Sequence, residues 1–189
     1  MNEDLSILAY NLGRSLDATE TVLNVVAAQM EKGKPAPQVI CLQEPGLPCW
    51  RSGNDGAPRH HPAWTLFTPS RAVGTPRALT YVAAGIVASD VRHVAFDSSD
   101  CVVVEVRTNA GWLRVVNVYN AGGTSVSTRD GLVELCRPSR EVEHVHIGGD
   151  FNAHHHSWSS LRHSAAGSQV NDLCCSSGPR MGQGFSGKF

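Results

Sequence analysis

The succession of elements in this chain predicts an α/β fold in which two sheets pack face to face with helices outside them. Three observations lead there. A helical stripe near the start and a second helical segment before the last strand are separated by a run of short strands, where a doubly wound sheet would alternate strand and helix strictly. The strands are continuously apolar, as strands covered on both faces must be. With 189 residues, 41% of them hydrophobic, the chain is long enough for one domain with a sizeable core.

The elements follow in order. Leu5 to Tyr10 reads as a first, largely buried strand ending at Asn11. Asp17 and Glu20 have capping-box spacing, with Asp in place of Ser or Thr. Val22, Leu23, Val25, Val26 and Met30 then trace a helical stripe that stops near Gly33. Pro35 and Pro37 impose extended chain. Val39 to Leu42 forms a short buried strand whose exit carries Gln43 and Glu44. From Pro45 to Pro62 the richness in Gly, Pro, Arg and His marks a long surface loop. Trp64 to Phe67, Ala78 to Ala88 and Val91 to Phe96 are expected as further strands. Cys101 to Arg107 and Trp112 to Val118 flank Thr108-Asn-Ala-Gly111, the composition of a hairpin turn. A helix over Arg129 to Cys136 and a strand over Val142 to Ile147 complete the pattern. Beyond Trp158 the chain turns Ser-, Gly- and His-rich, and residues 161–189 are expected to be poorly ordered or foreign to the core.

Composition excludes several classes. No apolar run approaches the ~20 residues that span a bilayer, so no membrane partner is expected. The acidic start, Met1-Asn-Glu-Asp4, lacks a signal-peptide charge pattern, so secretion is not expected and the compartment is otherwise left open. A net charge of −1 gives no global basic footprint for nucleic acid. The cations are nonetheless mostly arginine, with lysine only at Lys32, Lys34 and Lys188. Arginine grips phosphate bidentately, which makes Arg14, Arg71 and Arg77, in or near loops, candidates to meet a phosphodiester backbone. Cys41, Cys101 and Cys136 lie in apolar stretches and read as buried reduced thiols, and the adjacent Cys174 and Cys175 are unsuited to an ordinary bridge with each other.

Four strands end in polar residues: Asn11, Glu44, Tyr119, and Asp150 with Asn152. The last of these is the most telling, because Val145-His-Ile-Gly-Gly-Asp-Phe-Asn152 runs an apolar strand into two glycines and then delivers a carboxylate and a carboxamide. Glycines there are expected to let the backbone turn tightly. If the four strands lie side by side, their polar ends converge at one mouth. Glu44 is then an oxygen ligand suited to Mg²⁺ or Mn²⁺. Asn11 orients that carboxylate or touches phosphate. The phenol of Tyr119 holds a phosphate oxygen, and Asp150 takes a proton from an attacking water. Each residue alone reads equally well as a turn former, a core-edge residue or a solvated loop charge.

Asn11, Leu42-Gln-Glu44, Val116-Asn-Val-Tyr119 and Gly148-Gly-Asp-Phe-Asn152, followed by His154, His155 and Trp158, resemble the endonuclease/exonuclease/phosphatase superfamily, closest to the endonuclease domains of non-LTR retrotransposons. The resemblance covers about residues 5 to 160, and Arg77 to Tyr81 adds a weaker match. It implies a four-layer α/β/β/α sandwich with two mixed sheets and Mg²⁺-dependent phosphodiester hydrolysis with DNA as substrate. It is compatible with a nuclear setting, the compartment being otherwise open. Glu44 would bind the metal and Asp150 would help activate water, while Asn11, Tyr119 and Asn152 would position the phosphate. It further implies a late Asp-bearing strand and a Ser-Asp-His segment, neither of which occurs in these residues, and a Pro after the tyrosine, where Asn120 stands instead. The expectation is therefore an incomplete domain over residues 1–160 with its last strands missing, and a feeble nuclease. Its alternatives are a non-catalytic remnant, a phosphatase of the same superfamily, and a metal-binding module built on His144, His146 and His154 to His156.

Overall fold

The computed structural model of the chain describes residues 5–46, 60–70, 76–120, 133, 135, 137–152 and 168. The first sheet contains β1 (Ile7–Asn11), β2 (Val39–Gln43), β3 (Trp64–Phe67) and β4 (Ala78–Ala83), in the order β1-β2-β4-β3. The β1–β2 pair is parallel and the others antiparallel. The second sheet runs β5 (Val91–Val94), β6 (Cys101–Thr108), β7 (Gly111–Tyr119), β8 (Val142–Asp150), and only its last pair is parallel.

Alternation along each strand builds the layers. One set of side chains from both sheets meets in the middle: Val39, Cys41, Ala78 and Val82 pack with Val102, Val104, Val106 and Val115. The opposite faces of β2 and β4 send Ile40, Leu42, Leu79 and Tyr81 outward against Leu23 and Val26 of α1 (Leu16–Glu31). Trp64 joins them, and its indole N–H donates to the Leu23 carbonyl at 3.3 Å. On the far side of the second sheet, Cys101, Val103, Val116 and Val118 pack with Leu135, which has helical backbone. The two mixed sheets with helical cover are the fold the sequence predicts.

Local differences have local causes. The helix begins two residues before the expected box: Ser15 is the N-cap, its hydroxyl accepting from Ala18 N at 3.2 Å, and Asp17 lies inside the first turn. The strand expected to reach Ala88 stops at Ala83, where Ile86 N bonds back to the Ala83 carbonyl at 3.0 Å, and a short 3₁₀ turn spans Ala88–Asp90. β8 does not turn at its glycines but continues through them to Asp150. Gly149 sits at φ +148°, and a Cβ there would lie 1.9 Å from the Val118 carbonyl oxygen. Gly149 serves close approach of the neighbouring strand, not a turn. The loop interior at 47–59, most of the helix expected over Arg129 to Cys136, and the tail call over 161–189 lie outside the described residues, save for positions 133, 135 and 168.

Candidate active site

Sandwich parity makes the site. In β1 and β2, Asn11 pairs in register with Gln43; in β7 and β8, Tyr119 pairs with Asp150. All four share the parity of the apolar residues between the sheets, such as Ala9, Cys41 and Val115. The inner layer thus changes from apolar to polar at the ends of four strands.

Hydrogen bonds join these ends across the sheets. Asn11 Nδ2 donates to Asp150 Oδ2 at 2.6 Å, while Asn11 Oδ1 accepts from Gly13 N at 2.8 Å, which settles which way the carboxamide faces. The other oxygen of Asp150 accepts from Asn152 N at 3.0 Å. Asn152 in turn donates from Nδ2 to the Asn120 carbonyl at 2.5 Å, and Asn120 N donates to the Asp150 carbonyl at 2.7 Å. The second pair is Tyr119 Oη, donating to Glu44 Oε1 at 2.7 Å. Burial and the neighbouring Glu44 carboxylate push the Tyr119 phenol above its ordinary value, so it remains a proton donor through the neutral range. All five candidates, Asn11, Glu44, Tyr119, Asp150 and Asn152, therefore lie at one mouth.

The backbone is held in uncommon conformations there. Arg14, Glu44 and Asn152 have φ of 64°, 45° and 43°, the left-handed region that non-glycine residues rarely occupy. Such conformations persist only where surrounding bonds over-determine them. Glu44 N donates to the Arg77 carbonyl at 2.9 Å, and the Glu44 carbonyl accepts from Arg14 N at 2.8 Å.

Beneath the mouth lies a polar group that sequence reasoning left out of the site. Asn117, fully buried on β7, donates to the carbonyls of Leu42 and Leu79 at 3.3 and 2.8 Å and to Thr80 Oγ1 at 3.3 Å. Its Oδ1 accepts from Gln43 Nε2 at 2.7 Å. Asn117 sits two residues before Tyr119 and Gln43 one before Glu44, so the network clamps the sheets together directly under the Tyr119–Glu44 pair. The signal available in the sequence was a polar residue at inner parity inside an apolar strand, since such a residue must be satisfied from the facing sheet.

Of the three candidate arginines, Arg77 departs from expectation. Arg77 is not a free phosphate ligand. Its Nε and one terminal nitrogen bind Asp100 at 2.7 and 2.5 Å, and its guanidinium lies 5.2 Å from the centre of the Tyr119 ring. Arg14 is exposed, with Nε 3.5 Å from Glu44 Oε1. Arg71 and His154 to His156 lie outside the described residues. His61 is engaged locally: Nδ1 accepts from Ala63 N at 3.1 Å and Nε2 faces Asn24 Oδ1 at 3.1 Å. Cys41 and Cys101 are buried, and burial pushes the Cys41 thiol up to about 12.

A hard divalent cation fits this donor set. Among the described residues, both contacts of Glu44 fall on Oε1, which leaves Oε2 open to the mouth. Mg²⁺ is commonly held by one or two carboxylates, with water and substrate phosphate completing its shell. Among the described residues no three His, Cys, Asp or Glu side chains gather as a cage, and His154 to His156, on which the zinc-type alternative also rests, lie outside them.

A family model described as endonuclease-reverse transcriptase matches residues 113–180. Among solved structures, the chain is similar to the endonuclease domain of TRAS1, a telomere-specific non-LTR retrotransposon, at 22% identity and a TM-score of 0.64, covering 92% of this chain and 72% of that one. It is also similar to the AP endonuclease LMAP from Leishmania major, at 12% identity and a TM-score of 0.59, covering 92% and 66% respectively. No curated protein sequence matches. At these identities the likeness establishes the fold.

Proposed function

We propose that this chain, a member of the endonuclease/exonuclease/phosphatase superfamily, hydrolyses phosphodiester bonds with the help of a divalent metal ion and takes DNA as its substrate. The observation that carries the reading is the double contact across the sheets, Asn11 with Asp150 and Tyr119 with Glu44, at one mouth.

Asp150 is the general base. Asn11 Nδ2 and Asn152 N each hold one of its oxygens, so the carboxylate is fixed in direction and retains lone pairs to receive a proton. Water attacks phosphorus, its proton passes to Asp150, and the bond from phosphorus to the leaving sugar oxygen breaks, that oxygen taking up a proton from solvent. Mg²⁺ or Mn²⁺ bound through Glu44 supplies charge neutralisation at the phosphate. Tyr119, protonated at neutral pH, turns its hydroxyl toward a phosphate oxygen as negative charge gathers there. Asn152 and Asn11 orient the phosphate with whatever amide capacity the carboxylate leaves. DNA is favoured over a small phosphoester because both similar structures are named as endonucleases. The exposed Arg14 beside Glu44 adds a cation at the mouth. The domain this reading requires spans residues 1–160.

The test is nicking of supercoiled plasmid with Mg²⁺ by the wild-type chain and its Asp150→Ala and Glu44→Gln variants. Loss of the base is expected to lower the rate about 10²–10⁴-fold. Nicking that survives Asp150→Ala, or a folded wild type no faster than that variant, would overturn the proposal. Release of phosphate from small phosphoesters by such a nicking-silent wild type would point to the phosphatase alternative, and silence in both assays to a non-catalytic remnant.

A further inference from the structure

The Arg77–Asp100 pair stands outside every role assigned above, yet it touches both halves of the Tyr119–Glu44 contact. Arg77 lies just before β4 of the first sheet, and its carbonyl accepts from Glu44 N at 2.9 Å, pinning the strained backbone of Glu44. Its side chain crosses to the second sheet. There the guanidinium fork binds both carboxylate oxygens of Asp100, the residue just before β6. Asp100 is held by its own loop, since its N–H donates to Ser98 Oγ at 3.1 Å. The Asp100 carbonyl accepts from Tyr119 N at 2.8 Å. The guanidinium also lies over the Tyr119 ring, 5.2 Å from its centre. One arginine thus fixes the backbone of Glu44, packs on the ring of Tyr119 and grips the residue that fixes the backbone of Tyr119.

A planar, bidentate guanidinium is suited to this and an ammonium is not. The fork sets the plane of the cation, and that plane walls one face of the phenol. With the ring covered on that side and the backbone pinned, Tyr119 Oη stays beside Glu44, and rotation of the O–H bond alone turns its proton to a phosphate oxygen.

We propose that Arg77, oriented by Asp100, is a positioning residue that holds the Tyr119 hydroxyl against Glu44. It acts on the reaction only through Tyr119 and Glu44. This rests on the hydrolytic reading for its consequence in rate, but the contact itself is measurable without catalysis.

The test has two arms. In the first, tyrosine is labelled with ¹³C at Cζ, and the Tyr119 resonance, identified by its loss in Tyr119→Phe, is read at neutral pH in the wild type, Glu44→Gln, Arg77→Lys and the double variant. The hydrogen bond to Glu44 Oε1 sets the shielding of that carbon, so Glu44→Gln should shift the resonance in the wild type. In the Arg77→Lys background, charge and stem remain but the fork is gone, and Glu44→Gln should shift it little. An equal shift in both backgrounds would overturn the proposal whether or not the protein cuts DNA. In the second arm, steady-state nicking is followed in Arg77→Lys, Asp100→Asn and each combined with Tyr119→Phe. Each single variant should lose about 10–100-fold in kcat with KM nearly unchanged, the scale of a slightly misplaced group. Neither should lower the rate further once Tyr119 is Phe. An additional loss of the same size in the Tyr119→Phe background would show a general structural role and overturn the proposal. If the wild type does not nick at all, the hydrolytic reading fails, and the resonance arm alone decides this one.

Discussion

The two adjacent glycines of β8 show how sharply single residues are constrained near the mouth. At Gly149 a Cβ would fall 1.9 Å from the Val118 carbonyl oxygen, and φ is +148°. At Gly148 the nearest atom is the ring nitrogen Nε2 of His146 at 3.1 Å, the movable end of a side chain, with Ala9 Cβ at 3.6 Å. Gly149→Ala should therefore destabilise by more than about 2 kcal/mol, from strain and from parting β7 and β8. Gly148→Ala should cost well under half of that. Urea unfolding of the two variants checks the contrast, which fails if they shift the midpoint equally. The glycine pair was plain in the sequence, but its reason was not. A turn and a close approach both call for glycine, and only the neighbouring strand distinguishes them.

Among the elements, α1 offers the cleanest local test. Ser15 caps it through Ala18 N, and the hydroxyl of Thr19 bonds back to the Ser15 carbonyl at 3.2 Å. Ser15→Ala should cost about 1 kcal/mol, as loss of an N-cap does. Asp17→Ala, removing only a charge in the first turn, should cost a few tenths. Thermal melts of the two variants rank them, and the reverse ranking would restore Asp17 as the cap. The helix itself was legible because its apolar stripe repeats at helical spacing. Its start was less so, since Ser15 and Asp17 are both good caps and the choice depends on how the chain leaves β1. That exit is set from β2: Leu12 N bonds to the Gln43 carbonyl at 2.9 Å and Arg14 N to the Glu44 carbonyl at 2.8 Å.

Across the whole molecule, the site is a seam between two sheets, so a ligand bound there acts on the fold. Glu44 belongs to the first sheet, and Tyr119 and Asp150 to the second. Mg²⁺ or Mn²⁺ binding through Glu44 in the native state should raise Tm, growing with metal concentration as RT ln(1 + [L]/Kd). Glu44→Gln should remove most of that shift, while Asp150→Asn should remove less. Differential scanning calorimetry with and without Mg²⁺ measures both, and an unchanged shift in Glu44→Gln would take that residue out of the metal site.

What the sequence determined by itself was the strands and their polar ends. Apolar runs long enough to be buried on both faces mark β2, β6 and β7, and the side-chain period of two then assigns Gln43, Asn117 and Tyr119 to the same face as their apolar neighbours. The candidates Asn11, Glu44, Tyr119, Asp150 and Asn152 were nameable from their place after those runs. What tertiary structure alone decided was partnership. Asn11 meets Asp150 across 139 residues of chain and Tyr119 meets Glu44 across 75. Arg77 turns from candidate phosphate ligand to partner of Asp100 because β4 inserts between β2 and β3 and brings the residue just before it to the mouth. Strand order and sheet facing are set by how the apolar faces of the eight described strands are covered at once, a property no local window of sequence contains.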